Sequence, residues 1–236
     1  MNFLSVTLPV YNEEKILNEE ITKIIAEINS SFFGCSYELL LVENGSTDNT
    51  CKIIEQLIAK FPKTVRVVHI PVANYGLAIK ECLLKSCGEY TVIFNVDFWD
   101  IDFVKQSLKV MNNKEVSGVI GSKTMPGAKD NRIWLRRFIT RSFNILLATL
   151  FGFKGTDTHG IKMFKTEKII PVVQSCVTDG VIFDTELILR AQKTGLKMEE
   201  VPVMCEEKRK TRLNILESTF QTVKDLLILF FLMRDK

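Results

Sequence analysis

The sequence predicts an α/β fold in which helices flank a mostly parallel sheet. In the first half of the chain, short β-branched and apolar runs alternate with longer stretches of helical spacing, as expected of βαβ units. The length of 236 residues suits one domain with a sizeable core. The sequence contains no internal repeat and no Pro/Gly-rich linker, so a second domain is not needed.

The first half contains five predicted strands and four predicted helices. The strands cover residues 4–10, 37–42, 65–70, 90–95 and 116–120. The helices cover residues 13–28, 47–61, 75–87 and 100–111. Side chains that cap helices precede several of these segments: Asn12 before the first, Ser46 and Thr47 before the second, and Asp100 before the fourth.

The second half has a different pattern. Turn residues predict a loop over 125–131, and a basic, apolar helix follows over 132–151. Further along we expect a loop containing Asp157, His159 and Gly160, strands near 161–164 and 197–201, and helices over 185–194 and 215–233. The longest apolar run, residues 226–233, is far shorter than the roughly 18 residues of a spanning helix. We therefore expect the chain to lie on a membrane rather than to cross it.

Composition excludes some classes of protein. A net charge of +3 is too small to indicate a nucleic-acid partner. The six cysteines form no C-x-x-C pair, so their spacing argues against a zinc or redox site. The N-terminus begins a strand without a basic and apolar leader, and free thiols without a signal indicate a cytoplasmic location.

In open parallel sheets, ligands bind outside the carboxyl ends of the strands. The first strand ends near Pro9, Tyr11 and Glu13, which either border a nucleotide pocket or simply lead into a capped helix. The second ends in Glu43 and Asn44, followed by a Gly-Ser turn. Those two side chains either read a base edge or a ribose hydroxyl, or serve only the turn and the next helix cap.

The fourth and fifth strands end in charged residues. Asp97, in the sequence Asn95-Val96-Asp97, can hold Mg²⁺ or Mn²⁺ against a diphosphate, because these hard ions take carboxylate oxygens. In the alternative interpretation Asp100 simply caps the following helix, and Asp97 can still serve the ion. Lys123 follows the fifth strand and is either an anion contact or a solvated side chain.

Two helices carry surfaces of mixed character. The helix over 132–151 has four arginines, including Arg137 and Arg141, among aromatic and aliphatic residues, which suits an anionic lipid surface. The amphipathic C-terminal helix either adds to that surface or packs against the core or another subunit.

Three motifs in order, LPVYNEE, LLVENGSTDNT and a strand ending in NVD, resemble family 2 glycosyltransferases of the GT-A fold. Later motifs are similar to the dolichol-phosphate mannosyltransferase group, which includes polyprenyl-phosphate sugar transferases. These motifs are Gly121-Ser122-Lys123, Thr140-Arg141-Ser142, Asp157-Thr158-His159-Gly160-Ile161-Lys162, Phe183-Asp184-Thr185-Glu186-Leu187 and Glu200-Val201-Pro202-Val203. The resemblance runs from about Leu4 to Arg212.

The resemblance implies an inverting transfer from a nucleotide sugar, of the GDP-mannose or UDP-hexose type, to a polyprenyl or dolichyl phosphate at the membrane surface. Asp97 would bind Mg²⁺ or Mn²⁺ and act in catalysis with three basic residues, Arg141, Arg209 and Arg212. The implied nucleotide-binding residues are Pro9, Tyr11, Glu13, Glu43, Asn44, Asn95 and Lys123. Residues 1–212 would form the glycosyltransferase domain and residues 213–236 an interfacial helix of the same compact unit, with a membrane-anchored partner or a homodimer left open.

Two departures from the family pattern bear on activity. Asn95 replaces the first acid of D-x-D with a neutral amide, and Trp99 stands where the group often has a polar metal ligand. The metal site therefore has fewer protein ligands than is usual in the family, and one interpretation is that the ion binds weakly. The alternatives are a transferase to a saccharide hydroxyl, with Asp184 or Glu186 as base, and a catalytically weakened nucleotide-sugar-binding homologue.

Overall fold

The computed structural model describes residues 4–130, 134–205 and 215–234. The strands are β1 (Leu4–Val10), β2 (Tyr37–Asn44), β3 (Val65–Ile70), β4 (Tyr90–Ile93), β5 (Val116–Ser122), β6 (Lys129–Asp130), β7 (Lys162–Lys165), β8 (Lys197–Pro202) and β9 (Met204–Cys205). The helices are α1 (Leu17–Ser31), α2 (Thr50–Lys60), α3 (Tyr75–Leu84), α4 (Ile101–Met111), α5 (Trp134–Phe151), α6 (Thr166–Ser175), α7 (Phe183–Lys193) and α8 (Ile215–Arg234).

Seven strands form one sheet in the order β3-β2-β1-β4-β7-β5-β8, and β6 and β9 form a separate two-stranded ladder. Within the seven-stranded sheet, β7 runs antiparallel to both of its neighbours and the other pairings are parallel. The predicted mostly parallel α/β sheet is therefore confirmed. The short strand β6 falls inside the segment predicted as a loop over 125–131.

The sheet is covered on both faces because its central strands are apolar on both faces. Along β2, Leu39 and Leu41 pack into the cluster that contains residues of α1, α2 and α4, whereas Leu40 packs into a cluster with α3. This alternation follows from the two-residue period of a strand. A further cluster joins the sheet to α6, α7 and the inner faces of α5 and α8.

Three helix starts test the capping predictions. Asp100 caps α4 as predicted, and its carboxylate accepts a hydrogen bond from the backbone N–H of Phe103. The first two helices begin later than predicted, at Leu17 and Thr50, because the residues before them form the interlocked turns described below. Helix α6 was not predicted, because it contains Pro171, a residue that normally argues against a helix interior.

Among the described helices, none combines the length and the apolar character required to cross a bilayer.

Candidate functional site

The chain changes direction across the sheet at β1. Strands β2 and β3 lie on one side of β1, and β4 lies on the other. In open α/β sheets such a switch point opens a crevice at the carboxyl ends of the strands, and ligands bind there. The crevice lies between the end of β1 and the turn that contains Asp97 after β4. Pro9, the second-last residue of β1, is half-buried, and Tyr11, just after the strand, is 41% exposed.

The turns after β1 and β2 are joined by side-chain hydrogen bonds. Asn12 has a left-handed backbone with φ of 53°, and its side-chain oxygen accepts from the Thr47 N–H at 2.8 Å. In return, the Asn12 N–H donates to the Ser46 hydroxyl at 3.0 Å. We call this set the turn network; its members are Asn12, Glu13, Glu14, Ser46, Thr47, Asp48, Asn49 and Thr50. The residues predicted to cap α1 and α2 therefore hold the two turns together instead.

The tight turn after β2 requires glycine and brings in the loop after β3. Gly45 has φ of 67°, and a Cβ at that position would lie 2.9 Å from the backbone nitrogen of Ala73. Beside it, the side-chain oxygen of Asn44 accepts from the Asn74 N–H at 2.7 Å, while the side chain of Asn74 caps α3. Asn44, predicted to bind nucleotide, thus positions the loop that leads into α3.

Glu43 lies beneath this turn and is 4% exposed. One carboxylate oxygen accepts from the Ser46 N–H at 2.5 Å, and the other lies 3.2 Å from Nδ1 of His69. Burial alone raises the pKa of Glu43, but the hydrogen bonds from Ser46 and the contact with His69 bring it below its usual value. His69 is therefore a partner of a predicted nucleotide-binding residue.

Asp97 lies at the tip of a tight turn. The backbones of Asn95 and Phe98 exchange two hydrogen bonds, each of 3.1 Å, which places Val96 and Asp97 between them. Val96 is 2% exposed and anchors the turn in the core, whereas the side chains of Asn95 and Asp97 are half-buried. Lys123 joins this region, because its ammonium lies 5.9 Å from the centre of the Phe98 ring.

Trp99 belongs to the core rather than to the crevice. Its ring packs against the cluster beneath α1 and α4, and its indole N–H donates to Glu20 at 2.8 Å. The group that the sequence resembles often has a polar metal ligand at this position. In this chain Trp99 connects the Asp97 turn to α1.

A buried group of charges lies at the same edge of the sheet, beyond β4. The ammonium of Lys162 donates to the Gly160 carbonyl at 2.8 Å and forms an ion pair of 2.9 Å with Asp184, although the angle to that carboxylate is not that of a hydrogen bond. Lys123 lies 3.8 Å from Asp157. We call Lys123, Asp157, Lys162 and Asp184 the buried charge cluster.

The surroundings of this cluster shift three pKa values. Burial raises the pKa of Asp157, but Lys123 and the His159 N–H bring it below its usual value. Burial lowers the pKa of His159, whose ring also packs 5.7 Å from that of Phe143. Tyr75 lies beside both Asp184 and Asp97, and its pKa is raised first by burial and then by the Asp184 charge. Tyr75 therefore connects the Asp97 turn to the buried charge cluster.

Glu186 is fully engaged by its own surroundings. Its carboxylate accepts from the N–H groups of Val177 and Thr178 and from the Thr178 hydroxyl, and it pairs with Arg190 at 2.6 Å. Both Glu186 and Asp184 are completely buried or nearly so. Neither carboxylate is open to an incoming hydroxyl group.

The outer face of α5 combines aromatic and guanidinium groups. Trp134 and Phe138 are 70% and 61% exposed, and with Arg137 and Arg141 they line an open cavity of about 300 Å³. The spacing of three or four residues places all four side chains on one face of the helix. Arg141 is exposed on this face, and its catalytic role stays a prediction. The other two predicted basic residues, Arg209 and Arg212, lie outside the described residues.

The contacts of Lys162 and Tyr75 could not be inferred from the sequence. A lysine within a short apolar strand and a tyrosine at a helix start have no local pattern that announces a buried ion pair. The motif containing Asp184 was visible, but its partner is 22 residues away in sequence, and only the sheet and α7 bring the two together.

Comparison with known families and proteins gives a consistent result. The model of the family described as glycosyl transferase family 2 matches residues 5–171. A dolichyl-phosphate beta-glucosyltransferase of Dictyostelium discoideum is 28% identical, and the match covers 97% of this chain and 74% of the relative. The protein of the same name from Saccharomyces cerevisiae is 26% identical, and the match covers 96% of this chain and 74% of that relative. Glycosyltransferase AglD of Haloferax volcanii is 24% identical over 90% of this chain, but the match spans only 34% of that longer protein.

Solved structures show the same fold. Glucosyl-3-phosphoglycerate synthase from Mycobacterium tuberculosis, crystallised with Mn²⁺, UDP-glucose and phosphoglyceric acid, superposes with a TM-score of 0.71. The match covers 97% of this chain and 80% of the synthase at 21% identity. The same synthase has also been crystallised with Mg²⁺ and UDP. The seven-stranded sheet is therefore of the GT-A type.

Proposed function

Because the chain belongs to glycosyl transferase family 2, we propose that it transfers a sugar, with inversion, from a nucleotide-sugar donor to a polyprenyl or dolichyl phosphate. Two of the relatives described above are dolichyl-phosphate beta-glucosyltransferases by name, which supports glucose as the sugar and a lipid phosphate as the acceptor. Residues 1–212 would form the transferase domain, with the C-terminal helix part of the same unit.

The observation that carries this proposal is the outer face of α5. Trp134 and Phe138 are exposed beside Arg137 and Arg141, so that apolar and cationic groups share one open surface. A phosphate bonded to a hydrocarbon chain needs both kinds of contact, and mixed aromatic and basic helix faces bind anionic lipid surfaces. A small, fully polar acceptor would gain nothing from the exposed indole and phenyl rings.

The donor would bind in the crevice beside β1. Asp97 supplies a hard carboxylate oxygen from a turn that the backbones of Asn95 and Phe98 close, which fits Mg²⁺ or Mn²⁺. Such an ion would neutralise the departing nucleoside diphosphate. Tyr11 and Pro9 border the crevice, whereas Glu43 and Asn44 would act from beneath by fixing the turn after β2.

A phosphate acceptor also fits the state of the acidic residues. A phosphomonoester is anionic near neutral pH and can attack the anomeric carbon without a general base. Asp184 is paired with Lys162 and Glu186 with Arg190, so neither is free to deprotonate a hydroxyl acceptor. The protein then has to orient the two substrates and to neutralise charge. Lys123, beside Phe98, and Arg141, on α5, would neutralise that charge.

We further propose a peripheral position on the cytoplasmic membrane surface. On α8, Leu226 and Leu229 are buried, whereas Leu227, Ile228 and Phe231 are about half exposed or more. Flotation with anionic vesicles tests this idea: the protein should float with the vesicles, and a carbonate wash should release it. Protein that stays in solution, or that resists carbonate, would contradict the proposal.

The transfer itself is tested with radiolabelled UDP-glucose, GDP-mannose and other nucleotide sugars, offered with a polyprenyl phosphate in vesicles or with 3-phosphoglycerate. We expect label in an organic-extractable product with the lipid acceptor. Arg137→Gln with Arg141→Gln should raise the KM for the lipid about 10-fold, the loss expected of charge-assisted contacts. Lys109→Gln on α4 is the control and should leave that KM unchanged. If label appears only in the product made from 3-phosphoglycerate, the lipid acceptor is wrong and the acceptor is a small polar molecule.

A further inference from the structure

Glu43, Cys51 and His69 lie together on the face of the sheet that α2 covers. A carboxylate oxygen, a thiol sulfur and an imidazole nitrogen, one from each residue, all lie within 4.8 Å of one another. We propose that these three residues form a second metal site, selective for Zn²⁺ and separate from the site at Asp97. The proposal does not depend on which sugar or acceptor the protein uses.

Regular structure, rather than loops, positions the three side chains. Glu43 on β2 and His69 on β3 are directly paired in the parallel register, so their side chains project from the same face of adjacent strands. Cys51 lies in the first turn of α2. The start of that helix is fixed because the Thr50 hydroxyl accepts from the Glu13 N–H at 2.8 Å, while its own proton goes to Asp48. The sheet and α2 therefore build the cluster, and the turn network fixes where α2 starts.

The spacing suits a tetrahedral ion after small side-chain movements. Metal–ligand distances of 2.0–2.3 Å place the ligand atoms of a zinc site roughly 3.3–3.7 Å from one another. His69 Nδ1 and Glu43 Oε2 are already 3.2 Å apart. Cys51 is half-buried on a helix and His69 is exposed, so rotation of either side chain can close the remaining gap.

The chemistry of the ligands selects the metal. A thiolate and an imidazole are ligands for zinc, whereas Mg²⁺ and Mn²⁺ prefer oxygen. Burial raises the pKa of Cys51, and the negative charges of Glu43, Glu55 and Asp48 raise it further. The thiol is therefore protonated when no cation is present, and a divalent ion would displace the proton and neutralise the surplus negative charge.

The surroundings provide access and a free coordination position. The side chain of His69 is 57% exposed, which opens a path from solvent, while that of Glu43 is 5% exposed and firmly held. Three protein ligands leave a fourth position for water or an added ligand. Asp97 follows β4, and β1 lies between β2 and β4, so the two sites are separated by about 10 Å in the sheet plane and share no ligand.

Cysteine spacing gave no sign of this site. Its ligands are 8 and 18 residues apart along the chain, and it uses one cysteine rather than a pair. The pairing of β2 with β3 is required to bring His69 to Glu43.

The test uses the purified full chain after chelator treatment. Zn²⁺ is titrated in competition with a chromogenic chelator, and Co²⁺ is added separately as a spectroscopic probe. We expect one ion per chain, a thiolate-to-cobalt charge-transfer band, and an excess of Mg²⁺ that fails to displace Zn²⁺. Cys51→Ser and His69→Asn should each weaken Zn²⁺ binding by about 10-fold or more. Cys51→Ser should also abolish the charge-transfer band.

Cys35→Ser is the matched control, because it removes an exposed thiol on the loop before β2 and should change neither readout. Equal Zn²⁺ affinity in the wild type, Cys51→Ser and His69→Asn would overturn the proposal, as would displacement of Zn²⁺ by Mg²⁺. His69 is on the surface, so His69→Asn keeps the test decisive if Cys51→Ser lowers stability. Circular dichroism of each variant checks the fold.

Discussion

The turn network and the buried charge cluster occupy the same edge of one sheet but are held together in different ways. In the turn network, short polar side chains such as Asn12 and Ser46 bond to the backbone of a neighbouring turn, and most of the atoms involved are partly exposed. In the buried charge cluster, Lys162 and Asp184 meet in the interior, where their side chains are 3% and 0% exposed. The first arrangement spreads stability over many weak contacts, and the second concentrates it in a few charges.

The largest expected effect therefore lies in the cluster. Lys162→Met leaves the Asp184 charge buried without its partner, which should lower the free energy of unfolding by about 3–5 kcal/mol. Urea unfolding followed by circular dichroism measures this change. Lys105→Met is the control: it breaks a surface ion pair with Asp102 and should lower the free energy of unfolding by only about 0–1 kcal/mol.

The double variant Lys162→Met/Asp184→Leu sharpens the comparison. Removing both charges should recover part of the loss, because an apolar pair can replace a buried ion pair at little cost. A loss below about 1 kcal/mol in the single variant would mean that the cluster is hydrated, and the contrast between the two regions would fail.

The next effect concerns catalysis rather than folding. Asp97→Ala should lower kcat for sugar transfer about 100-fold or more, the scale for losing a group that stabilises developing charge. The midpoint temperature of thermal unfolding should change little, because the backbones of Asn95 and Phe98 close the turn. Asp102→Ala, an exposed acid on the adjacent helix, is the control. Activity within a few-fold of wild type would remove Asp97 from the proposed mechanism.

The same contrast explains what the sequence could predict. Most strands and helices and the Asp100 cap follow from local patterns. The rule that ligands bind at strand ends singles out Asp97, whose role at the ion stays a prediction. The prediction that Asn12 and Ser46 cap the first two helices was wrong. A residue that can cap its own helix can equally bond to a neighbouring turn. The ion pair of Lys162 with Asp184 and the trio at Glu43 depend on strand order, which no local pattern encodes.

A smaller effect is expected in the turn network. Asn12→Ala removes the bond to the Thr47 N–H and places alanine at φ of 53°, so it should cost about 1–3 kcal/mol. Asn12→Gly removes the same bond but accepts the backbone angle, and should cost less. Chemical unfolding of the pair separates the two contributions. Equal losses would mean that the backbone angle contributes nothing and that the hydrogen bond alone matters.

The smallest expected change comes from Asn95→Asp, which restores a second acid beside Asp97. The substitution is nearly isosteric and the turn is held by backbone hydrogen bonds, so the fold should be unaffected. Without a cation, the two carboxylates would repel each other and an incoming diphosphate. With Mg²⁺ or Mn²⁺ present, the added charge would help to hold the ion. Calorimetry of nucleoside diphosphate binding should therefore show weaker binding without Mn²⁺ and a few-fold larger gain on adding it, compared with wild type. An equal response in both proteins would mean that Asn95 does not face the ion, and that the ion depends on Asp97 and the diphosphate alone.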